Sequence, residues 1–384
     1  MSMQQENFAT CGAPRARACA ARQEGVTLVE LMVALLLGLV LTAGCIQVFL
    51  SNRATYSFNE GLSRLQENGR FALDTLSYRI RMAGFVGCVS SVPVVNNLND
   101  STTLPFAFDE ALIGFEAAGT APGATFAAQS SNPPNSATAS NWTPSLPDDL
   151  LNRVIPGSDI IVVRNFSSSA SPLRTPFTDG DKVYVTAPSG TYGVGDVLAV
   201  SDCQKASVFQ VTGVTGTGSN IELAHTAAGA VPGNQTAVWN TDQAYTAGAE
   251  LMRAETWIYF VGAGSGGTPA LFQGRLAVDT ATSESELVFD EIADSVETMQ
   301  VLYGFDNNGD DRIDEYRTAA GISAADWPSV RAVRVGLLVR SPDETGTEID
   351  DATYVVNGMT FNPVDDRRVR QVFTTTIALR NRLP

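Results

Sequence analysis

From Val26 to Leu50 the chain runs through 25 residues whose only charged side chain is Glu30. As a helix this run reaches roughly 37 Å, more than the ~30 Å hydrocarbon core of a bilayer. It is too long for the apolar region of an ordinary secretory signal, and no break follows it. Thr42-Ala43-Gly44 offers small residues for signal cleavage, but a helical pattern carries on past it. Phe58, Leu62, Leu65, Ala72, Leu76 and Ile80 recur at three- and four-residue steps and predict an amphipathic continuation over 51–83. One long helix results, its 26–50 half in lipid and its later half against a soluble domain. Arg15, Arg17 and Arg22 precede the span, so 1–25 reads as a cytoplasmic leader and the C-terminal bulk as exported.

Beyond the helix, runs rich in Val, Ile and aromatics alternate with turn residues. The strands expected are Asp159–Arg164, Lys182–Thr186, Asp196–Val200, Val208–Val211, Glu255–Val261, Ala270–Ala277, Val296–Tyr303, Val330–Arg340 and Val372–Arg380. The fold class is α+β: a long N-terminal helix packed on an antiparallel β-sheet domain over 84–384. Residues 117–150, rich in Ala, Ser, Asn and Pro, read as a surface loop insertion.

Charge narrows the function. There are 41 acidic side chains against 25 basic ones, a net charge of −16. That balance repels nucleic acid, whose binding rests on Lys and Arg neutralising phosphates. Nor does an enzyme emerge. Gly262-Ala263-Gly264-Ser265-Gly266-Gly267 fits G-x-G-x-x-G, but Thr268-Pro269 and a strand-like run follow where a helix would have to open, so a hairpin loop is expected. Ala263 breaks the nucleophile-elbow pattern around Ser265. The single histidine, His225, has no companion motif and reads as a surface residue, and without CxxC a His/Cys zinc site has no basis. No spacing singles out a carboxylate pair for hydrolysis.

One cluster has ligand spacing. Asp306, Asn308, Asp310 and Asp314 match steps 1, 3, 5 and 9 of a calcium loop, with Ile313 at the apolar eighth step and Glu315 as an extra oxygen. Against an EF-hand, Asp311 stands where the sharp turn takes glycine, and Arg317 stands where the bidentate Glu belongs. The two readings are a shorter calcium loop between strands and a plain acidic turn.

Gly25-Val26-Thr27-Leu28-Val29-Glu30-Leu31 resembles the processing site of type IV prepilins, with Val26 where phenylalanine is the usual first mature residue. The resemblance implies cleavage between Gly25 and Val26 by a membrane prepilin peptidase and methylation of the new amine. A carboxylate in a membrane helix costs about 2.5–3.5 kcal/mol on insertion scales. The amine at Val26, in this subunit or a neighbour, is then the natural counter-ion of Glu30. Cys11 and Cys19 leave with the leader and Cys45 lies in the apolar span, which leaves Cys88 and Cys203 in an exported part where disulfides persist. The alternative is two buried free thiols.

Further matches follow in order. They are Arg81-Met82-Ala83-Gly84-Phe85-Val86-Gly87-Cys88, the run Gly195–Cys203, the run Val296–Gly304 and the tail Arg368–Arg382. Together these resemble the PilW family of type IV pilus minor pilins, themselves similar to the J-type minor pseudopilins of type II secretion. The resemblance implies a priming and tip complex that initiates pilus assembly, for adhesion and twitching motility. It implies partners among other minor pilins, the major pilin and a large tip adhesin. It also implies insertion in the inner membrane with a periplasmic C-terminal domain, followed by a place on the pilus. A type II secretion pseudopilin and a pilus-borne adhesive or DNA-binding module are the competing readings.

Overall fold

The structure is a computed structural model and describes residues 25–87, 92–128, 137–177, 180–227, 231–236, 239 and 243–382. The chain divides into two compact units at Thr55/Tyr56. An α-helix spans Leu28–Arg81, with Glu30 in its first turn and Arg79 and Arg81 in its last, charges that complement the helix dipole.

In the second unit a 9-stranded sheet is organised by the strand Glu250–Ala263. One edge of that strand pairs with Ile160–Pro172. The other edge is shared: Glu250–Arg253 pairs with Val197–Ser201, and Trp257–Ala263 pairs with Pro269–Val278. The last of these forms a hairpin across Ala263↔Pro269. The glycine-rich run 262–267 is therefore a hairpin turn, as its sequence required. A second sheet of 4 strands is ordered Glu315–Arg317, Val296–Phe305, Val330–Arg340, Arg370–Ala378. Two 3-stranded sheets complete the unit, one of them Lys182–Thr186, Asn220–Ala224 and Gly213–Thr217.

The main core lies where these layers meet the later part of the helix. Leu65, Ala72, Leu76 and Ile80 join Ile161, Tyr259, Leu271, Met299, Val333 and Ile377 in one buried cluster. Burial at ~25 cal/mol per Å² of apolar surface makes that cluster the chief source of stability in this unit.

Two expectations need correction. The stretch 117–150 is not simply a surface loop: Trp142, Leu146 and Leu150 are buried against Phe115, Ile160 and Phe260, because apolar side chains are spaced through its later part. Residues 129–136 within it lie outside the described set. His225, expected at the surface, is fully buried at 0% exposure. It sits among aromatic rings whose centroids lie 4.6 Å (Trp239), 5.3 Å (Phe209) and 5.7 Å (Phe177) away. These partners come from separate segments on both sides of His225 in the chain.

Candidate assembly interface

Gly25, Val26 and Thr27 precede the first helical residue and are exposed. The helix opens on a reciprocal cap. Thr27 N donates to Glu30 Oε2 at 3.0 Å, Thr27 Oγ1 donates to the same oxygen at 3.1 Å, and Glu30 N donates to Thr27 Oγ1 at 3.3 Å. This is the Ser/Thr-x-x-Glu capping box, which satisfies amides that a helix start leaves orphaned. The Glu30 carboxylate thus has a partner within its own chain, one residue from the expected cleavage point. The Thr27-x-x-Glu30 spacing was the available signal.

In the first unit the apolar side chains have nothing to pack on. Val26 and Leu41 are 71% exposed and Leu36 65%. The helix contains a segment apolar enough to cross a membrane, with none of that segment buried. Thr42 Oγ1 donates to Gly38 O at 2.7 Å, so a hydroxyl inside this segment is satisfied by its own helix. Cys45 is a free, exposed thiol in the same segment.

From Tyr56 onward the same helix behaves differently. Its buried stripe is Gly61, Leu65, Gly69, Ala72, Leu76 and Ile80. Phe58, counted in the predicted stripe, is 37% exposed; Gly61 and Gly69, not counted, belong to it. A Cβ on Gly69 would come within 2.5 Å of the Phe373 ring, and one on Gly61 within 2.8 Å of Thr345 Oγ1. Glycine in a helix interior costs about 1 kcal/mol relative to alanine, and here that cost permits close approach to the sheet.

Polar clamps fasten the stripe beside Gly69 and at its C-terminal end. Asn68 Nδ2 donates to the Asp294 carboxylate. Arg79 lies over the Trp257 ring at 3.4 Å and reaches Glu255 Oε2 at 3.5 Å. That oxygen also accepts from Trp257 Nε1 at 3.1 Å and Asn165 Nδ2 at 3.2 Å. Glu255 is therefore a hub joining the last helical turn to the central sheet.

A buried acid pair lies behind this face. Asp159 Oδ1 accepts from Ala117 N at 2.9 Å and Oδ2 from Val301 N at 2.8 Å, which ties strand Leu112–Ala117 to strand Val296–Phe305. Glu116 Oε2 has no partner among the described residues. Burial pushes both carboxyls upward, and the Asp159 charge adds to the effect on Glu116, which is raised to about 9. Glu116 is the member that keeps the proton, because the two amides facing Asp159 favour its charged form.

The acidic loop is held by its own backbone. Asp306, 3% exposed, accepts from Gly309 N at 2.7 Å, Asn308 N at 3.2 Å and Asp311 N at 3.0 Å, and pairs with Arg331 at 3.3 Å. Asn308 Oδ1 accepts from Asp310 N, Asp310 Oδ1 from Arg312 N, and Asp314 Oδ2 from Asn307 N. Asp311 takes φ 63°, so aspartate makes the sharp turn where an EF-hand uses glycine. Among the described residues no group of three or more His, Cys, Asp or Glu side chains is placed to hold a metal ion. The side-chain oxygens at 306, 308, 310 and 314 each accept from an amide of the loop, which shapes it as an acidic turn.

Cys203 is disulfide-bonded. Cys88, its expected partner, lies outside the described residues. Burial pushes His225 down to about 4, so it is neutral in its aromatic setting, and neither ring nitrogen has a partner among the described residues.

Residues 258–381 match the family model described as Type IV Pilus-assembly protein W, and residues 20–46 match the Prokaryotic N-terminal methylation motif. Among solved structures, a type IV-like pilin from Thermus thermophilus matches at 16% identity over 50% of this chain and 89% of that one. Its TM-score of 0.23 is too low for the likeness to carry an argument. No curated protein matches the chain. The two family matches mark a type IV pilin-like protein with a PilW domain, and point to a structural pilin rather than an enzyme. The apolar helix and the methylation motif are consistent with inner-membrane anchoring.

Proposed function

We propose that this pilin-like protein is a minor pilin of the type IV pilus, working in a priming complex that starts assembly and stays at the fibre tip. One observation carries the reading: a single helix, Leu28–Arg81, is uniformly unburied and apolar in its first half yet stitched to a β-domain in its second. Such a helix can lie in the inner membrane before assembly and pack among other pilin helices afterwards, without refolding the domain. The PilW match over 258–381 supports the type IV pilus over other machines.

Cleavage after Gly25 frees an amine at Val26, one residue from the Thr27–Glu30 cap. Glu30 then exchanges or shares its cap with an amine, its own or a neighbour's, which sets the register between subunits. Cys203 pairs with Cys88, closing a loop of more than 100 residues worth about 4–5 kcal/mol in the chain-entropy model. The periplasmic domain meets the other minor pilins and the large tip adhesin. A J-type pseudopilin of type II secretion is the second reading, supported by the same anchor.

Deleting the gene and restoring it in trans tests the role. Pilus number on the surface is expected to fall at least tenfold on deletion and recover on complementation, with labelled protein at fibre tips. Normal piliation together with retained secretion substrate would move the protein to the secretion machine.

A further inference from the structure

The single histidine of the chain is fully buried, and neither ring nitrogen has a partner among the described residues. Trp239, the ring closest to it, leaves its own Nε1 unpartnered as well, so no acceptor is at hand. The backbone N–H of His225 donates to Asp181 O at 2.9 Å, which fixes the residue just past strand Asn220–Ala224. An imidazolium carries two N–H groups that need acceptors. Aromatic faces attract a cation but accept those hydrogen bonds poorly, so they offset only part of the cost of a charge here.

The charged groups around it do not make up the difference. Among the described residues no carboxylate forms an ion pair with the imidazole. Burial holds it down to about 4, against smaller pulls from its own backbone and from Asp181. Lys182 and Glu222, on the strands beside it, pair with each other at 3.5 Å. Asp202 and Lys205 act on Tyr245, whose ring lies beyond Trp239 and whose hydroxyl donates to Ser207 Oγ.

The surrounding rings belong to a core of their own. Phe177, Val183, Val185, Phe209, Leu223 and Trp239 pack in a cluster that shares no residue with the one holding the helix. One 3-stranded sheet, Lys182–Thr186, Asn220–Ala224 and Gly213–Thr217, lends this cluster its inward side chains. A charge on His225 therefore bears on this lobe, and separate cores can open separately.

We propose that His225 makes this lobe acid-sensitive: a proton on its ring drives the imidazole out of the aromatic cluster and opens the 3-stranded sheet, while the helix and its core stay folded. The closed lobe holds His225 neutral and the open lobe holds it protonated. They differ by one proton, so opening grows by up to tenfold per pH unit as pH falls from 6.5 to about 4. Glu116 works in the opposite sense and bonds to Ala319 of the other core, so the two responses separate by place. The device stands whichever machine the chain serves.

Hydrogen exchange of the full-length protein in detergent, read by mass spectrometry at pH 7 and pH 5 and corrected for intrinsic rates, is the test. Amides of 182–186 and 220–224 are expected to lose at least tenfold in protection at pH 5 relative to those of 65–80 and 333–339. His225→Phe keeps a ring without a proton site and is expected to abolish that contrast. Histidine labelled with carbon-13 gives one imidazole signal in this chain, and its NMR midpoint is expected well below 6.5. Equal loss in both cores, an unchanged lobe at pH 5, a midpoint at or above 6.5, or the same acid response in folded His225→Phe would each overturn the proposal. Should that variant fail to fold, the exchange contrast and the midpoint of the unaltered chain decide.

Discussion

The two halves of the helix obey opposite rules. Before Thr55 every face is exposed, and from Leu31 to Leu50 the side chains are almost all apolar; after Tyr56 one stripe is buried and the rest is wet. Composition alone would rank the first half as the better core element. The structure instead buries a stripe containing two glycines and an alanine, because close approach to Phe373 and Thr345 matters more there than side-chain volume. A helix hydrophobic on all sides with no intramolecular partner is made for lipid or for other subunits. A helix with one notched stripe is made to hold its own domain.

Substitution separates the two roles. Leu76→Ala, at a fully buried position, is expected to cost about 2–5 kcal/mol in thermal or denaturant unfolding of the domain. Gly69→Leu forces the helix off Phe373 and is expected to cost about 1–3 kcal/mol by overpacking, read in the same assay. If Gly69→Leu were silent, the close approach would not matter and the comparison would lose its second half.

The acid pair provides a subtler probe. An acid whose folded pKa is raised stabilises the fold fully below its unfolded value and loses that contribution as pH rises through the folded one. With Glu116 raised from 4.5 to about 9, the melting temperature is expected to fall across that interval. Glu116→Gln should flatten the slope by about 1 kcal/mol per pH unit, the worth of one proton held in the folded state only. A slope unaltered by Glu116→Gln would place the titration elsewhere.

The smallest stability effect belongs to the first half. Leu36→Ala, at 65% exposure, should leave domain unfolding within about 0.5 kcal/mol of the parent. Its cost should appear as fewer subunits recovered in sheared pili. A large loss of domain stability there would break the contrast between the halves.

Much of this was legible in the chain. The 26–50 run and its lone Glu30 need no tertiary information, and the strands at 182–186 and 330–340 announce themselves through Val and Ile. Ser285–Asp294 escaped notice because its acidic residues face water, its pattern serving a half-exposed strand. Gly61 and Gly69 were missed because hydrophobic periodicity gives glycine no weight, although a helix notch needs it. His225 was misplaced because a buried imidazole depends on Phe177, Phe209 and Trp239, neighbours that only the fold assembles. The spacing of the acidic loop was legible, whereas the amides that its oxygens meet were not. In the structure the oxygens point to the loop's own amides. The Glu255 hub is equally a product of long-range placement.

The most direct test of the central claim is the mass and N-terminal sequence of the membrane-extracted protein, with and without the prepilin peptidase. A mature chain beginning at Val26 only when the peptidase is present is the expected result, leaving the apolar half of the helix intact as anchor and packing element. A chain still beginning near Met1 with the peptidase active, or one cut after Leu50, would contradict it.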